Sequence, residues 1–315
     1  MNPAEQRPLG RTGLTVTPIC IGTSPLASIP RLYGYAVDAA RAQATVDAVF
    51  DGPFTFLDTS NNYGAGSAEE RIGAVVRRRG VPPGFVLATK VDADATTGDF
   101  SGERVLRSVE ESLGRLGVDH VPLMYLHDPE FHLTFDEAMG PGGAVEALVR
   151  LRDEGVLGHL GIAGGRLDLM RRFVATGVFA AAINHNRWTL LDRTADALIE
   201  ESVAGGVAFV NGAPYGGGML ARGPQVQPRY AYVETSDDVR AAAAAMLAAC
   251  EARGVPLAAA ALQFSLRDPR VTSTIVGVST PSRIAETVTL ATTGIPADLW
   301  AELDRLRPPD GAHLD

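Results

Sequence analysis

The sequence predicts an α/β protein folded as a (β/α)8 TIM barrel. Two patterns lead there. Eight short β-rich runs alternate with longer helical patterns along the 315 residues, the signature of βα units on a parallel sheet. The rival doubly wound dinucleotide fold lacks its mark, since no G-x-G-x-x-G follows a strand, and a P-loop is absent too. No Pro/Gly/Ser linker or composition break divides the chain, so residues 1–315 read as a single barrel domain, within the size such barrels reach.

The strands are expected at 17–22 (TPICIG), 54–58 (FTFLD), 85–90 (FVLATK), 121–126 (VPLMYL), 158–163 (GHLGIA), 180–184 (AAAIN), 207–211 (VAFVN) and 272–276 (TSTIV). Between them lie the helical patterns. Segment 67–79 opens with Ser67 and Glu70 at capping-box spacing. Segment 103–116 carries Val105, Leu106, Val109, Leu113 and Leu116 at helical period. Segments 143–155, 166–176, 192–205 and 281–292 follow, and 236–253 begins TSDDVR, with N-cap residues and acids in its first turn. An extra helical stretch, 256–267, precedes the last strand.

Composition narrows the function. The chain is 46% hydrophobic, which excludes disorder, and has a formal net charge of −9. An acidic surface speaks against nucleic acid as a partner, because phosphates are neutralised by basic groups. Two cysteines, Cys20 and Cys250, make no disulfide framework. No signal-like apolar segment or membrane-length apolar run occurs, so a soluble cytoplasmic protein is expected. The six histidines, His313 among them, show no helical metal-binding spacing, so no metal is assigned. No G-x-S-x-G elbow supports a serine nucleophile.

Barrel active sites form at the C-terminal ends of the strands. Strand two ends at Asp58, strand three at Lys90 and strand four just before His127, while Tyr63 lies in the loop after Asp58. Taken singly, each has a structural reading: Asp58 as a turn former, Lys90 as a snorkelling strand end, His127 as turn chemistry before Asp128-Pro129. Together at one rim they make a proton-transfer site. The ammonium is expected to lower the phenol's pKa, the carboxylate to hold the ammonium, and the imidazole to donate to a substrate oxygen.

The segments LGRTGLTVTPICIGT, FLDTSNNYGAGSAEERIG, LATK, MYLHDPE, ALVRLRDEGVLGHLGI and IVGVSTPSRIAETV resemble the aldo-keto reductase superfamily over nearly the whole chain. The resemblance implies a barrel that binds NAD or NADP without a Rossmann domain, and maps the family's catalytic residues onto Asp58, Tyr63, Lys90 and His127. HDPEFHLTF, HNRWTLLDR and NGAPYGGGML are similar to the aldose 1-dehydrogenase, L-galactose dehydrogenase and pyridoxal 4-dehydrogenase group, which implies a small sugar or aldehyde as the partner molecule. The resemblance places the cofactor against Asn184 and His185, Tyr215, the loop of Gly216, Gly217, Gly218 and Leu220, whose backbone N–H groups are expected to wrap the pyrophosphate, and Gly277, Ser279, Arg283 and Glu286. Two departures stand out. Ala163 and Gly164 replace a Ser-Asn pair, and Gly277 and Val278 replace the Lys-Ser pair that NADP-preferring members carry, so NAD is expected to serve at least as well as NADP. A general aldehyde reductase, a cofactor-sensing subunit and a Schiff-base aldolase using Lys90 are the competing readings.

Overall fold

The computed structural model describes residues 2–309; His313 lies outside them. Two short antiparallel strands, β1 (Arg7–Pro8) and β2 (Thr15–Val16), come first. Eight parallel strands then close a barrel: β3 (Ile19–Gly22), β4 (Phe56–Asp58), β5 (Val86–Val91), β6 (Val121–His127), β7 (Leu157–Gly164), β8 (Ala181–His185), β9 (Ala208–Gly212) and β10 (Val271–Gly277). They pair in chain order, with β10 closing onto β3. All eight expected strands are present. Lys90 is the penultimate residue of β5 rather than its last, and the β1–β2 hairpin has no counterpart among the expected elements. Leu9 and Val16 of that hairpin pack with the barrel's inner apolar residues.

A strand shows alternate side chains to opposite faces. The inner cluster contains Phe56, Ala88, Leu123, Tyr125, Ala181 and Ile183. Counting on by twos along β4, β5, β6 and β8 reaches Asp58, Lys90, His127 and His185 at the C-terminal strand ends. The alternation that fills the barrel with apolar groups therefore delivers these four polar residues to its mouth. The floor below them is apolar and fully buried, with the Tyr125 ring against Gly161, where a Cβ would come within 2.3 Å of that ring.

The helices cover the outer face of the strands. In Gly102–Leu116, Val105, Val109 and Leu116 are buried, and Leu106 and Leu113 are partly so. Ser236 caps Asp237–Glu251 by accepting from the Val239 N–H at 3.3 Å. The expected capping box at Ser67 does not form. Gly66, in the left-handed region at φ 93°, is the N-cap of Ser67–Arg79, and the Ser67 hydroxyl donates instead to the Ala27 carbonyl. A capping box does form at Thr134 and Glu137, ahead of the short helix Phe135–Met139. The helix between the first two barrel strands, Ala39–Phe50, and the late helix Ala297–Arg305 are additions to the expected set. Expected segment 192–205 shortens to Asp196–Ala204. Among the described residues, no helix is long and apolar enough to cross a membrane.

Candidate active site

The loop TSNNYG leaves β4 and carries Tyr63 over the barrel mouth. It is pinned at several points. The Thr59 and Asn61 N–H groups donate to the Ala88 and Lys90 carbonyls of β5. The Asn61 side-chain amide donates to the Ser108 carbonyl, Glu111 and Ser112. Gly64 follows Tyr63 with φ 61°, and a Cβ there would meet Ser67 Oγ at 2.4 Å and the Ala27 carbonyl at 2.7 Å. Only glycine fits that bend, which sets the direction of the Tyr63 side chain.

Lys90 organises the centre. Its ammonium donates to Asp58 Oδ2 at 2.7 Å, the Thr59 carbonyl at 2.7 Å and Tyr63 Oη at 2.9 Å, which accounts for all three of its protons. Asp58 and Lys90 are both buried. Burial pushes the Asp58 carboxyl up, against the opposing pull of the Lys90 charge and hydrogen bond. The His127 ring meets the Tyr63 ring edge-on, with centroids 5.9 Å apart. The four residues picked out in the sequence therefore meet at one place.

One expectation is corrected. The Tyr63 phenol does not sit below its ordinary pKa; burial pushes it well up, with Asp58, Tyr33, Asp128 and Asp92 adding to the effect. Several carboxylates surround the ring and oppose a phenolate. The Lys90 contact thus acts on negative charge as it develops on Oη rather than storing it beforehand, which is the form of electrostatic assistance that lowers a barrier.

Sequence reasoning missed Asp92. Its buried carboxylate accepts from His127 Nδ1 at 2.7 Å, from the Ser60 hydroxyl at 2.5 Å and from the Asn62 N–H at 2.9 Å. The signal was the two-residue spacing in Lys90-Val91-Asp92, which sends both side chains the same way. Burial alone would lower the His127 pKa, but the Asp128 and Asp92 carboxylates outweigh it and raise the value. His127 thus stays an imidazolium to higher pH, with Nδ1–H on Asp92 and Nε2–H available. Asp92→Asn keeps an acceptor for Nδ1–H and removes the charge, so the imidazolium becomes the weaker competitor for its proton. We expect the alkaline limb of the site's pH–activity profile to move down by about one pH unit or more; an unmoved limb would show that Asp92 does not set the charge of His127.

The cofactor positions divide. Asn184 is buried and donates through Nδ2 to the Gly164 carbonyl at 2.8 Å, and its Oδ1 has no donor among the described residues. His185 turns instead to Asp128, Nε2 to Oδ1 at 3.7 Å. Gly216, Gly217 and Gly218 all have positive φ, and a Cβ at Gly216 would strike the Tyr230 ring at 2.2 Å. The expected cradle of free N–H groups in that loop is narrower than the sequence suggested. The Gly216, Gly218 and Leu220 N–H groups already donate to the carbonyls of Ala213 and Tyr215, because the left-handed turn closes on itself. Tyr215 packs between the two outer apolar clusters, and burial raises its phenol against the nearby Arg283 charge.

At the other end of the proposed cofactor site, Gly277 lies against Pro25, and Val278 is buried in the apolar core. Ser279 is half-buried, and Arg283 is paired with Glu286 one helical turn on. The missing Ser-Asn pair is replaced in space as well as in sequence. Glu130 reaches from the loop after β6 and accepts from the Gly165 N–H at 2.6 Å, and a Cβ at Gly164 would lie 2.7 Å from its Oε2. Among the described residues, no three His, Cys, Asp or Glu side chains form a metal-binding group.

Residues 18–308 match the Aldo/keto reductase family. The chain belongs to that family. It is an oxidoreductase of the kind that works with a nicotinamide cofactor. It is 30% identical to the L-galactose dehydrogenase of Arabidopsis thaliana, over 98% of this chain and 96% of that one. It is also 30% identical to a D-threo-aldose 1-dehydrogenase of a Pseudomonas species, over 94% and 95%. The pyridoxal 4-dehydrogenase of Microbacterium luteolum is 29% identical over 95% and 96%. A solved aldo-keto reductase of Bacillus halodurans shares the barrel fold with a TM-score of 0.77 over 96% of both chains, at 23% identity.

Proposed function

We propose that this family member is an aldose 1-dehydrogenase that oxidises a cyclic hemiacetal to a lactone, with Tyr63 handling the proton. The observation that carries the reading is the Asp58–Lys90–Tyr63 chain of contacts, with the His127 ring edge-on to the phenol. The names of two of the relatives above, both sugar dehydrogenases, support the sugar class.

A bound nicotinamide supplies the hydride acceptor. The chain's own groups supply the rest. Tyr63 Oη, in its ionised form, takes the proton of the anomeric hydroxyl as the C1–H bond breaks, its electron pair leaving as hydride, and the C1–O bond becomes a carbonyl; in the reverse direction the neutral phenol gives that proton back. Lys90 stabilises the negative charge on Oη while it exists, and Asp58 holds Lys90. His127 Nε2–H donates to the reacting oxygen and fixes which hydroxyl lies beside Tyr63. Because the free phenol is held protonated, oxidation is expected to quicken toward alkaline pH, and aldehyde reduction to persist at neutral pH.

The residues also fit the carrier. Asn184 Oδ1 is a buried acceptor without a donor among the described residues, and a carboxamide N–H is the donor type that fits it. We place the rest of the dinucleotide along Tyr215, the Gly216–Gly218 turn, Ser279 and Arg283. NAD+ should serve at least as well as NADP+. A 2′-phosphate would find no lysine at Gly277 and no hydroxyl at Val278, and it would meet the Glu286 carboxylate already paired with Arg283. Arg283 and Glu286 are each about half exposed, so solvent screens the effect and the NAD+ advantage is expected to be modest. The check is kcat/KM for both cofactors with one sugar. A tenfold or greater NADP+ advantage, about 1.4 kcal/mol, would contradict it. The substrate itself is tested by offering L-galactose, other aldoses, pyridoxal and simple aldehydes with each cofactor. Turnover of pyridoxal alone would replace the aldose reading.

A further inference from the structure

The carboxylate of Asp128 at the barrel mouth has no direct part in the proposed proton transfer. Asp128 follows His127 and precedes Pro129. Its backbone is left-handed, φ 44° and ψ 46°, an unfavourable conformation for a residue with a Cβ and a less favourable one still before proline. It is held there by its N–H, which donates to the Ala163 carbonyl at 2.7 Å. Strain of this kind persists where the surroundings fix it, and it gathers at ligand sites.

That backbone aims the carboxylate between two imidazoles. Oδ2 lies 3.5 Å from His127 Nε2, and Oδ1 lies 3.7 Å from His185 Nε2. The longer distance exceeds a hydrogen bond and the shorter one is at the limit of contact. Oδ1 is buried with no hydrogen-bond donor among the described residues. The neighbouring carboxylates differ. Asp92 accepts three hydrogen bonds, and Glu130 accepts from the Gly165 and Arg166 N–H groups. Asp128 is thus a charged acceptor with capacity to spare. His185 completes a row. The Asn186 amide nitrogen Nδ2 lies 3.2 Å from its Nδ1 and can only donate, which leaves the proton of the neutral ring on Nε2, facing Asp128. The mouth presents donor, acceptor, donor in line, beginning at the imidazole that would hold the reacting oxygen.

A substrate that matches this row carries a hydroxyl on the carbon next to the reacting one, since the two oxygens of a gauche 1,2-pair lie about one hydrogen-bond length apart. We infer that Asp128 is the specificity-determining residue that accepts this neighbouring hydroxyl, so that the substrates are 2-hydroxyaldehydes and their cyclic hemiacetals. This rests on the reading of Asp58, Tyr63, Lys90 and His127 as the reaction centre. A hydroxyl donated to a carboxylate is worth more than one between neutral groups. A substrate lacking it leaves the acceptor buried and unsatisfied.

The test compares kcat/KM within two substrate pairs: an aldose against its 2-deoxy counterpart in oxidation, and glycolaldehyde against acetaldehyde in reduction. Asp128→Gly removes the carboxylate and accepts the left-handed backbone, so the fold is kept. Asp128→Asn is a second variant that tolerates the same φ. The wild-type protein should prefer the hydroxylated member of each pair by about 10- to 100-fold, and Asp128→Gly should bring the ratio to within threefold of one. Comparing ratios cancels any general slowing through His127. A preference in the glycolaldehyde pair that depends on Asp128, with no aldose turned over, would keep this inference and discard the aldose reading. Turnover of either pair without preference, or a preference that survives Asp128→Gly, overturns the inference and leaves the reaction centre standing. Turnover of neither pair overturns both.

Discussion

Tyr63→Phe is expected to lower kcat by about 10²- to 10⁴-fold, the range of general acid–base assistance, while cofactor affinity stays near that of the wild type. The variant changes one oxygen. The Lys90 ammonium lies 4.5 Å from the centre of the Tyr63 ring and the His127 ring meets its edge, and a phenyl ring keeps both contacts. Lys90 keeps its bonds to Asp58 and the Thr59 carbonyl. Loss of rate therefore reports loss of the proton carrier rather than collapse of the site. Cofactor affinity is followed by quenching of intrinsic fluorescence. A Phe variant that retains more than half of its kcat would remove Tyr63 from the proposed mechanism.

Lys90→Met should act nearly as strongly and differ in its pH dependence. Among the described residues it deletes the only cation in contact with Tyr63 Oη, and removal of one such donor costs about 10²- to 10³-fold in kcat. Without the ammonium, Asp58 is left as a buried carboxylate, and breaking a buried pair from one side destabilises by about 3–5 kcal/mol. Pairing Lys90→Met with Asp58→Asn relieves that cost and gives a protein whose kinetics can be read. The phenol, already pushed up by burial and the surrounding carboxylates, loses the one contact that favours its ionised form. The pH needed for efficient oxidation should rise in the double variant. An unchanged pH profile of kcat/KM would show that Lys90 does not govern the charge on Tyr63.

Much of the fold could be read from the sequence because barrel strands are short, apolar and evenly spaced. The eight runs needed no tertiary information. Helix Ala39–Phe50 was also legible, with Asp38 as its N-cap and Ala42, Val46, Val49 and Phe50 buried at helical spacing. It went unread because its alanines and threonine dilute the apolar stripe. The capping box failed at Ser67 because tertiary contact won: Gly66 could turn left-handed, and Ala27 offered the Ser67 hydroxyl an acceptor.

The site was legible to a similar degree. Asp58, Lys90 and His127 end strands, and Tyr63 follows at a fixed distance, so topology alone gathers them. What the sequence could not supply was the balance of charge. Lys90 beside Tyr63 suggested a lowered phenol pKa; burial of the ring, with Asp58, Tyr33, Asp128 and Asp92 around it, reverses that direction. The roles of Asp92 and Asp128 depend on side-chain distances across three strand ends, and a linear pattern does not encode these. The spare N–H groups read into the Gly216–Gly218 loop had the same weakness, since a glycine run permits many turns and this one bonds to its own carbonyls.

In the proposed reaction, hydride leaves C1 of a hemiacetal while Tyr63 takes the hydroxyl proton. An aldose carrying deuterium at C1 follows that transfer, with the reduced nicotinamide and the sugar product both analysed by mass. One deuterium is expected in the reduced nicotinamide, with a lactone as the first product, and both are expected to be lost in Tyr63→Phe. Reduced nicotinamide without deuterium, or a sugar product oxidised at another carbon, would contradict this reaction.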